Sequence, residues 1–212
     1  MSVPAQNQNN TQDEMQDGTR KNTLQQSHAR NGQLHLVFNG EIYNHRALRK
    51  QLEFLGHHFE SSHCDTEVLL HGYRQWGTEL PKRLHGMFAF AIWDGNQRDL
   101  FLCRDRAGKK PLYLKWSNDS REVMFASMVS SLVKGLPKGE SPQINSNALL
   151  TYLRFGYTFA QSLIQGIEEL PAAHWFNVNR AGQVTCERYW QPPPISKSST
   201  SLGIIRSTGE LI

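Results

Sequence analysis

The sequence predicts an α+β domain in which helices cover a largely antiparallel sheet system. Three observations carry that expectation. Apolar runs with strand character recur through the middle of the chain, separated by turn dipeptides. Helical spacing is confined to a few blocks, with capping residues in front and glycine behind. Most consecutive strands are joined by short loops, which suits hairpins rather than parallel crossovers.

The elements follow in order. Leu34-His35-Leu36-Val37-Phe38 is a strand candidate that ends at Asn39-Gly40, a turn signal. Asn44 stands where a helix cap belongs, and Leu48, Leu52 and Leu55 then share one face until Gly56. Asp65 is placed to cap a second helix, with Val68, Leu69, Tyr73 and Trp76 inward and Gly77 as its stop. Met87 to Trp93 reads as a buried strand, Asp94-Gly95 as its turn and Leu100 to Cys103 as its hairpin partner. Pro111 to Trp116 and Val123 to Ala126 form another pair around Ser117-Asn118-Asp119. Asn145 caps a helix through Leu149, Leu150 and Leu153. Trp175 to Val178 and Val184 to Tyr189 flank Arg180-Ala181-Gly182 as a last hairpin.

Composition sets the expected limits of the domain. Residues 1–33 hold twelve Asn or Gln and no aromatic, so this segment buries too little to offset its ordering entropy and is expected to be disordered. Residues 34–190 contain every Trp, Tyr and Phe and form the globular part. Residues 191–212 open on Pro192-Pro193-Pro194 and continue rich in Ser and Thr, as a linker or tail does. The 212 residues carry 38% hydrophobic residues and a mean hydropathy of −0.55, low for a chain that is compact throughout. No stretch approaches the roughly 18 apolar residues of a membrane span, and no signal peptide opens the chain. Cys64, Cys103 and Cys186 are odd in number and widely spaced, which excludes a disulfide scaffold and fits a reducing cytoplasm. The net charge of +4 is spread along the chain without a Lys/Arg stripe, so a nucleic-acid partner is not expected. His57, His58, His63 and Cys64 are close in sequence, but their spacing matches no zinc site and no metal is expected.

Several blocks stand in a telling order. They are Phe38-Asn39-Gly40-Glu41-Ile42-Tyr43-Asn44, Asp65-Thr66-Glu67-Val68-Leu69-Leu70, Leu84-His85-Gly86-Met87-Phe88-Ala89-Phe90-Ala91-Ile92-Trp93-Asp94, Arg104-Asp105-Arg106-Ala107-Gly108, Tyr152-Leu153-Arg154-Phe155-Gly156-Tyr157 and Arg188-Tyr189-Trp190. From about His28 to Trp190 the set closely resembles the glutaminase domain of glutamine-dependent asparagine synthases, a class II glutamine amidotransferase. The resemblance implies an N-terminal-nucleophile hydrolase-like αββα sandwich. It implies glutamine as substrate and release of ammonia to a synthase domain that uses ATP and Mg to turn aspartate into asparagine. Asn39 and Gly40 match the oxyanion hole, where an amide NH2 and a backbone N–H meet the developing negative oxygen. Glu41 and Asp65 match the groups that hold the glutamine α-ammonium. Without the blocks, Asn39-Gly40 reads as an ordinary turn and Asp65 as a helix cap. Arg104, Asp105 and Arg106 are read as a structural ion-pair cluster with no catalytic role.

The same resemblance marks what the sequence lacks. The family's nucleophile is an N-terminal cysteine, whereas this sequence begins Met1-Ser2-Val3. No counterpart is found for the family's first strands or for its arginine that binds the glutamine α-carboxylate, so the sandwich is expected to be incomplete. Ser2, Cys64, Cys103 and Cys186 are not expected to replace the nucleophile. No Ser-Gly-Gly-x-Asp-Ser loop is present, so ATP and Mg are implied only for a synthase domain outside this sequence. The chain is therefore expected to be inactive alone. The alternative is a non-catalytic glutamine-binding or scaffold domain, as in β-lactam synthetase-like relatives.

Overall fold

Alternation along the strands decides the layering. The computed structural model describes residues 25–28 (backbone only), 34–61, 64–117, 122–159 and 161–194. In β2 (Leu34–Ile42) the side chains of Leu34, Leu36, Phe38 and Ile42 are buried on one face. β2 runs through Asn39-Gly40 instead of turning there, because its pairing with β3 (Gly86–Asp94) continues from Leu34 opposite Asp94 to Ile42 opposite Gly86. Partner-strand hydrogen bonding overrides the local turn preference of the dipeptide.

β1 (Gln25–His28) pairs antiparallel with β2, from Gln25 opposite Phe38 to His28 opposite His35. This corrects the expectation that residues 1–33 lie wholly outside the fold. Gln-Gln-Ser-His has no apolar alternation, so only the open edge of β2 gives it a reason to be a strand. The rest of that segment lies outside the described residues, as do residues 195–212.

α1 (His45–Phe54) and α2 (Asp65–Trp76) follow β2, then a 3₁₀ turn over 77–79 and the short α3 (Leu80–Arg83). Leu48 and Leu52 of α1 are buried, whereas Leu55 falls past the helix end and is exposed. Gly77 closes α2 as expected, at φ 53°. Cys64, not Asp65, is the residue before α2, and Asp65 is its first helical residue. β4 (Asp99–Arg104) makes the hairpin with β3, and β5 (Tyr113–Trp116) the one with β6 (Val123–Ala126). Then come α4 (Val129–Lys134), α5 (Ser146–Phe155), β7 (Ile167–Glu169), β8 (His174–Val178) and β9 (Val184–Arg188).

Two antiparallel sheets result, of order β1-β2-β3-β4-β8-β9 and β6-β5-β7. Phe88, Phe90 and Ile92 of β3, with Phe101 and Cys103 of β4 and Trp175 of β8, pack against Leu48, Leu52, Val68, Leu69, Leu70, Leu80 and Leu84 from the helical side. The alternate residues Ala89, Ala91, Leu102 and Phe176 face the second sheet and meet Leu112, Leu114 and Leu170. The small alanines of β3 let the two sheets approach, while its large residues fill the space under the helices.

On the far side of the second sheet α4 lies against β5 and β6. The fourth layer is thin beyond it. The Asn145 side chain accepts the Ala148 N–H (3.2 Å), and Gly156 ends α5 in the left-handed conformation. Yet only Ala148 of α5 is buried, and Leu150 and Leu153 are 65% and 72% exposed. Apolar spacing announces the helix correctly, but these leucines do not pack into the domain. Phe159 extends the apolar surface, with its ring 4.2 Å from that of Tyr157 and 5.5 Å from that of Phe155.

Candidate functional site

The candidate site grows out of the end of β2. The Tyr43 N–H donates to His85 O (2.8 Å), so in this register odd-numbered residues turn their N–H toward β3 and even-numbered ones away from it. Gly40 and Ile42 therefore present their N–H groups on the β1 side. The described pairing with β1 stops at Phe38, two residues short of Gly40. On this stretch, beyond the described β1 pairing, the Ile42 N–H donates to Asp65 Oδ2 (3.2 Å). The first turn of α2 thus brings a carboxylate to the strand edge that carries the Gly40 N–H. Asp65 does more than begin a helix: it ties α2 to β2.

Gly40 is required by close approach. At φ 151° an added Cβ would stand 2.2 Å from Met87 O and 2.7 Å from Phe88 Cα, both backbone atoms. Gly86 has the reciprocal relation to Glu41 O, at 2.1 Å and φ 159°. The two glycines let β2 and β3 close tightly where the site begins.

Asn39 and Glu41 lie on the face of β2 opposite Phe38 and Ile42. Glu41 is exposed, and Asn39 is half-buried. Asn39 Nδ2–H donates to Ser127 Oγ (3.0 Å), across to the end of β6. Asn39, Gly40, Glu41 and Asp65 therefore share one end of the six-stranded sheet. Ser127 joins them and has no signal in the sequence, because its partner is 88 positions away.

Asn44 stands at the N-terminus of α1, yet its side chain makes no cap bond to that helix. Its Nδ2–H donates to Arg83 O (2.9 Å), and its Oδ1 accepts the His85 N–H (2.9 Å). It fastens the entry of β3 to the exit of β2.

The Arg104-Asp105 block is structural. Arg104 donates from Nε to Lys110 O (2.9 Å), from one terminal nitrogen to Leu170 O (2.7 Å) and from the other to Gly108 O (2.8 Å). It also pairs with Glu169 (2.7 Å). The ion pair is thus with β7 of the second sheet, not within the block. Buried Asp105 accepts four backbone N–H groups: Phe88 (3.2 Å), Ala107 (3.0 Å), Lys109 (3.0 Å) and Lys110 (2.9 Å). Tyr189 O–H donates to Arg104 O (2.8 Å). Because Phe88 is opposite Gly40, this knot holds the strand that backs the site.

The cysteines are scattered. Cys103 is fully buried on β4, and burial, followed by the nearby Asp105 carboxylate, pushes its thiol well above the ordinary range. Cys186 is exposed on β9, the edge of the sheet far from β2. Cys64 is half-buried just before α2. His57 and His71 share a hydrogen bond (Nδ1 to Nδ1, 3.1 Å), and His57 Nε2–H donates to Gln75 Oε1 (2.9 Å). Burial, then the neighbouring His57, lowers the pKa of His71. His63 lies outside the described residues. Among the described residues no group of three or more His, Cys, Asp or Glu could hold a metal ion, and no helix is long and apolar enough to cross a membrane.

A family model described as a glutamine amidotransferase domain matches residues 18–190. Glutamine-hydrolyzing asparagine synthetase 3 of Bacillus subtilis (strain 168) is 35% identical over 161 residues, which is 73% of this chain and 25% of that protein. A putative glutamine-hydrolyzing asparagine synthetase of Mycobacterium tuberculosis (strain ATCC 25618 / H37Rv) is 51% identical over 79 residues, 37% of this chain and 12% of that protein. The chain thus spans about a quarter of the length of the Bacillus relative. Among solved structures, glutamine phosphoribosylpyrophosphate amidotransferase from B. subtilis superposes with a TM-score of 0.50 at 23% identity, covering 80% of this chain and 32% of that one. That likeness shows the fold, an α+β arrangement of the N-terminal-nucleophile type.

Proposed function

The chain belongs to the glutamine amidotransferase domain family, and from that premise we propose that it binds free glutamine at the end of β2 as the glutaminase part of an asparagine synthetase-like protein. One observation carries the reading. Asn39, Gly40 and Glu41 lie on the stretch of β2 beyond the described β1 pairing, and the Asp65 carboxylate reaches the same stretch at the Ile42 N–H. In this role the Gly40 N–H and the Asn39 amide N–H face the side-chain carbonyl oxygen of glutamine and stabilise the negative charge it gains under attack. Glu41 and Asp65 hold the α-ammonium. Amide hydrolysis yields glutamate and ammonia, and the ammonia is passed to a synthase part that activates aspartate with ATP and Mg. No step of that later chemistry is assigned to residues 1–212.

The attacking thiolate is not drawn from this chain. Cys103 is sealed in the core and held protonated, and Cys186 is on the opposite sheet edge. Cys64 precedes the carboxylate assigned to the substrate amine. We therefore propose that the 212-residue polypeptide binds glutamine weakly and does not hydrolyse it. The cytoplasm suits its biosynthetic relatives and its three unpaired cysteines. Calorimetry and a coupled glutamate assay on the purified chain test both halves. The expected result is millimolar binding weakened by Asp65→Ala, with glutamate release at background. Turnover abolished by Ser2→Ala, or binding indifferent to Asp65→Ala, refutes the reading.

A further inference from the structure

We propose that Ser127 is the positioning residue of the candidate oxyanion site, fixing the orientation of the Asn39 amide from the second sheet. The inference rests on the glutamine reading above and adds a residue to it.

Asn39 lies in one sheet, and Ser127 directly follows a strand of the other. Asn39 is on β2, and Ser127 follows Ala126, the last residue of β6, just before α4 begins at Val129. Their hydrogen bond, Asn39 Nδ2 to Ser127 Oγ at 3.0 Å, spans 88 residues of sequence. Both side chains are half-buried, so the bond forms at the rim of the space between the sheets rather than in its apolar centre.

The need for such a partner comes from the asparagine torsion. Rotation about the last side-chain bond of asparagine is broad and nearly two-fold, so oxygen and NH2 exchange places at little cost. An oxyanion donor cannot tolerate that exchange. With the amide reversed, a carbonyl dipole would face the developing negative oxygen and oppose the reaction. The NH2 group has two hydrogens, and only one is used by Ser127. Bonding to Ser127 fixes the amide plane, and in the orientation present, with Ser127 Oγ accepting, the second N–H is directed away from Ser127. Ser127 is itself held by β6 on one side and by α4 on the other, so the acceptor does not wander. Ser127 touches no reacting atom in this scheme and acts wholly through Asn39.

The test uses the intact chain, labelled with nitrogen-15, and follows the side-chain NH2 pair of Asn39 while glutamine is added. In the wild type the Asn39 NH2 hydrogens exchange with water more slowly than those of exposed Asn147, and one of them shifts with glutamine. In Ser127→Ala that protection is lost and glutamine affinity falls by about five- to tenfold, the loss of one hydrogen bond's worth of orientation. Ser127→Thr keeps the hydroxyl and restores both. A purely structural role for Ser127 would change backbone shifts and unfolding midpoint without selectively freeing the Asn39 amide. Wild-type Asn39 exchanging as fast as Asn147 overturns the proposal, and this measurement needs no variant to fold. So does unchanged Asn39 protection in Ser127→Ala. The glutamine reading fails separately: if glutamine moves no Asn39 resonance while Ser127→Ala still frees the amide, the positioning contact stands and the ligand assignment falls.

Discussion

Removing the Asp105 carboxylate tests the claim that a buried acceptor, not the apolar core alone, holds the strand behind the site. Oδ1 takes the N–H groups of Ala107 and Lys109, and Oδ2 those of Phe88 and Lys110. Phe88 is 1% exposed, so its N–H finds no water when the carboxylate is gone. Ala107 and Lys109 are exposed, and their N–H groups regain water at small cost. An orphaned buried N–H costs about 1–3 kcal/mol, and a bond to a charged acceptor is worth about 1.5–3. Asp105→Ala is therefore expected to cost about 4 kcal/mol, chiefly through Phe88 and Lys110. Asp105→Asn has one carbonyl oxygen left, and its amide turns so that this oxygen serves Phe88 and Lys110. Its NH2 then faces the exposed pair, and the expected cost is about 2 kcal/mol. Urea unfolding gives the two free energies, and amide exchange shows which N–H groups lose protection. In the Asn variant Phe88 stays protected while Ala107 and Lys109 do not. An Ala variant within about 1 kcal/mol of wild type, or equal loss at Phe88 in both variants, refutes the reasoning.

Three further outcomes follow from the same contacts. Gly40→Ala places a methyl group 2.2 Å from Met87 O and is expected to cost about 3 kcal/mol or more, read from the urea midpoint. Tyr189→Phe loses the donor to Arg104 O and should cost about 1–2 kcal/mol in the same assay. Burial, followed by Asp94 and Asp99, pushes the Tyr73 phenol from 10.0 up to about 12. Its contribution is complete below pH 10 and is lost as pH rises through about 12, because the unfolded chain gives up the proton first. Unfolding free energy measured across that window should fall less steeply in Tyr73→Phe.

The strands that pair locally were legible because their alternation and turns are local. Val123–Ala126 is found at its expected limits, and Leu100–Cys103 gains one residue at each end. β1 and β7 were not legible. Gln25–His28 and Ile167–Glu169 are short and mostly polar, and each is a strand because a neighbour offers an edge. Asn39-Gly40 misled for a related reason. As a dipeptide it favours a turn, and only β3 across from it makes it a strand. At the site, resemblance supplied Asn39, Gly40, Glu41 and Asp65, while Ser127 depends on the approach of two sheets. Leu149, Leu150 and Leu153 show the limit of periodicity: spacing tells which residues share a face, not whether anything covers it.

The knot around Arg104 also has a consequence in time. Its partners Leu170 and Tyr189 lie 66 and 85 residues farther along the chain. Closing such long loops comes late, because their entropy is lost before the contacts repay it. A chain emerging from the ribosome can therefore form the β3–β4 hairpin and the local bonds of Arg104 and Asp105 early, but the bonds to Leu170 and Tyr189 wait until those segments have been made. The knot behind Gly40 therefore gains its Tyr189 contact only when a segment near the end of the described residues has been made, so the order of synthesis delays the finished candidate site until then.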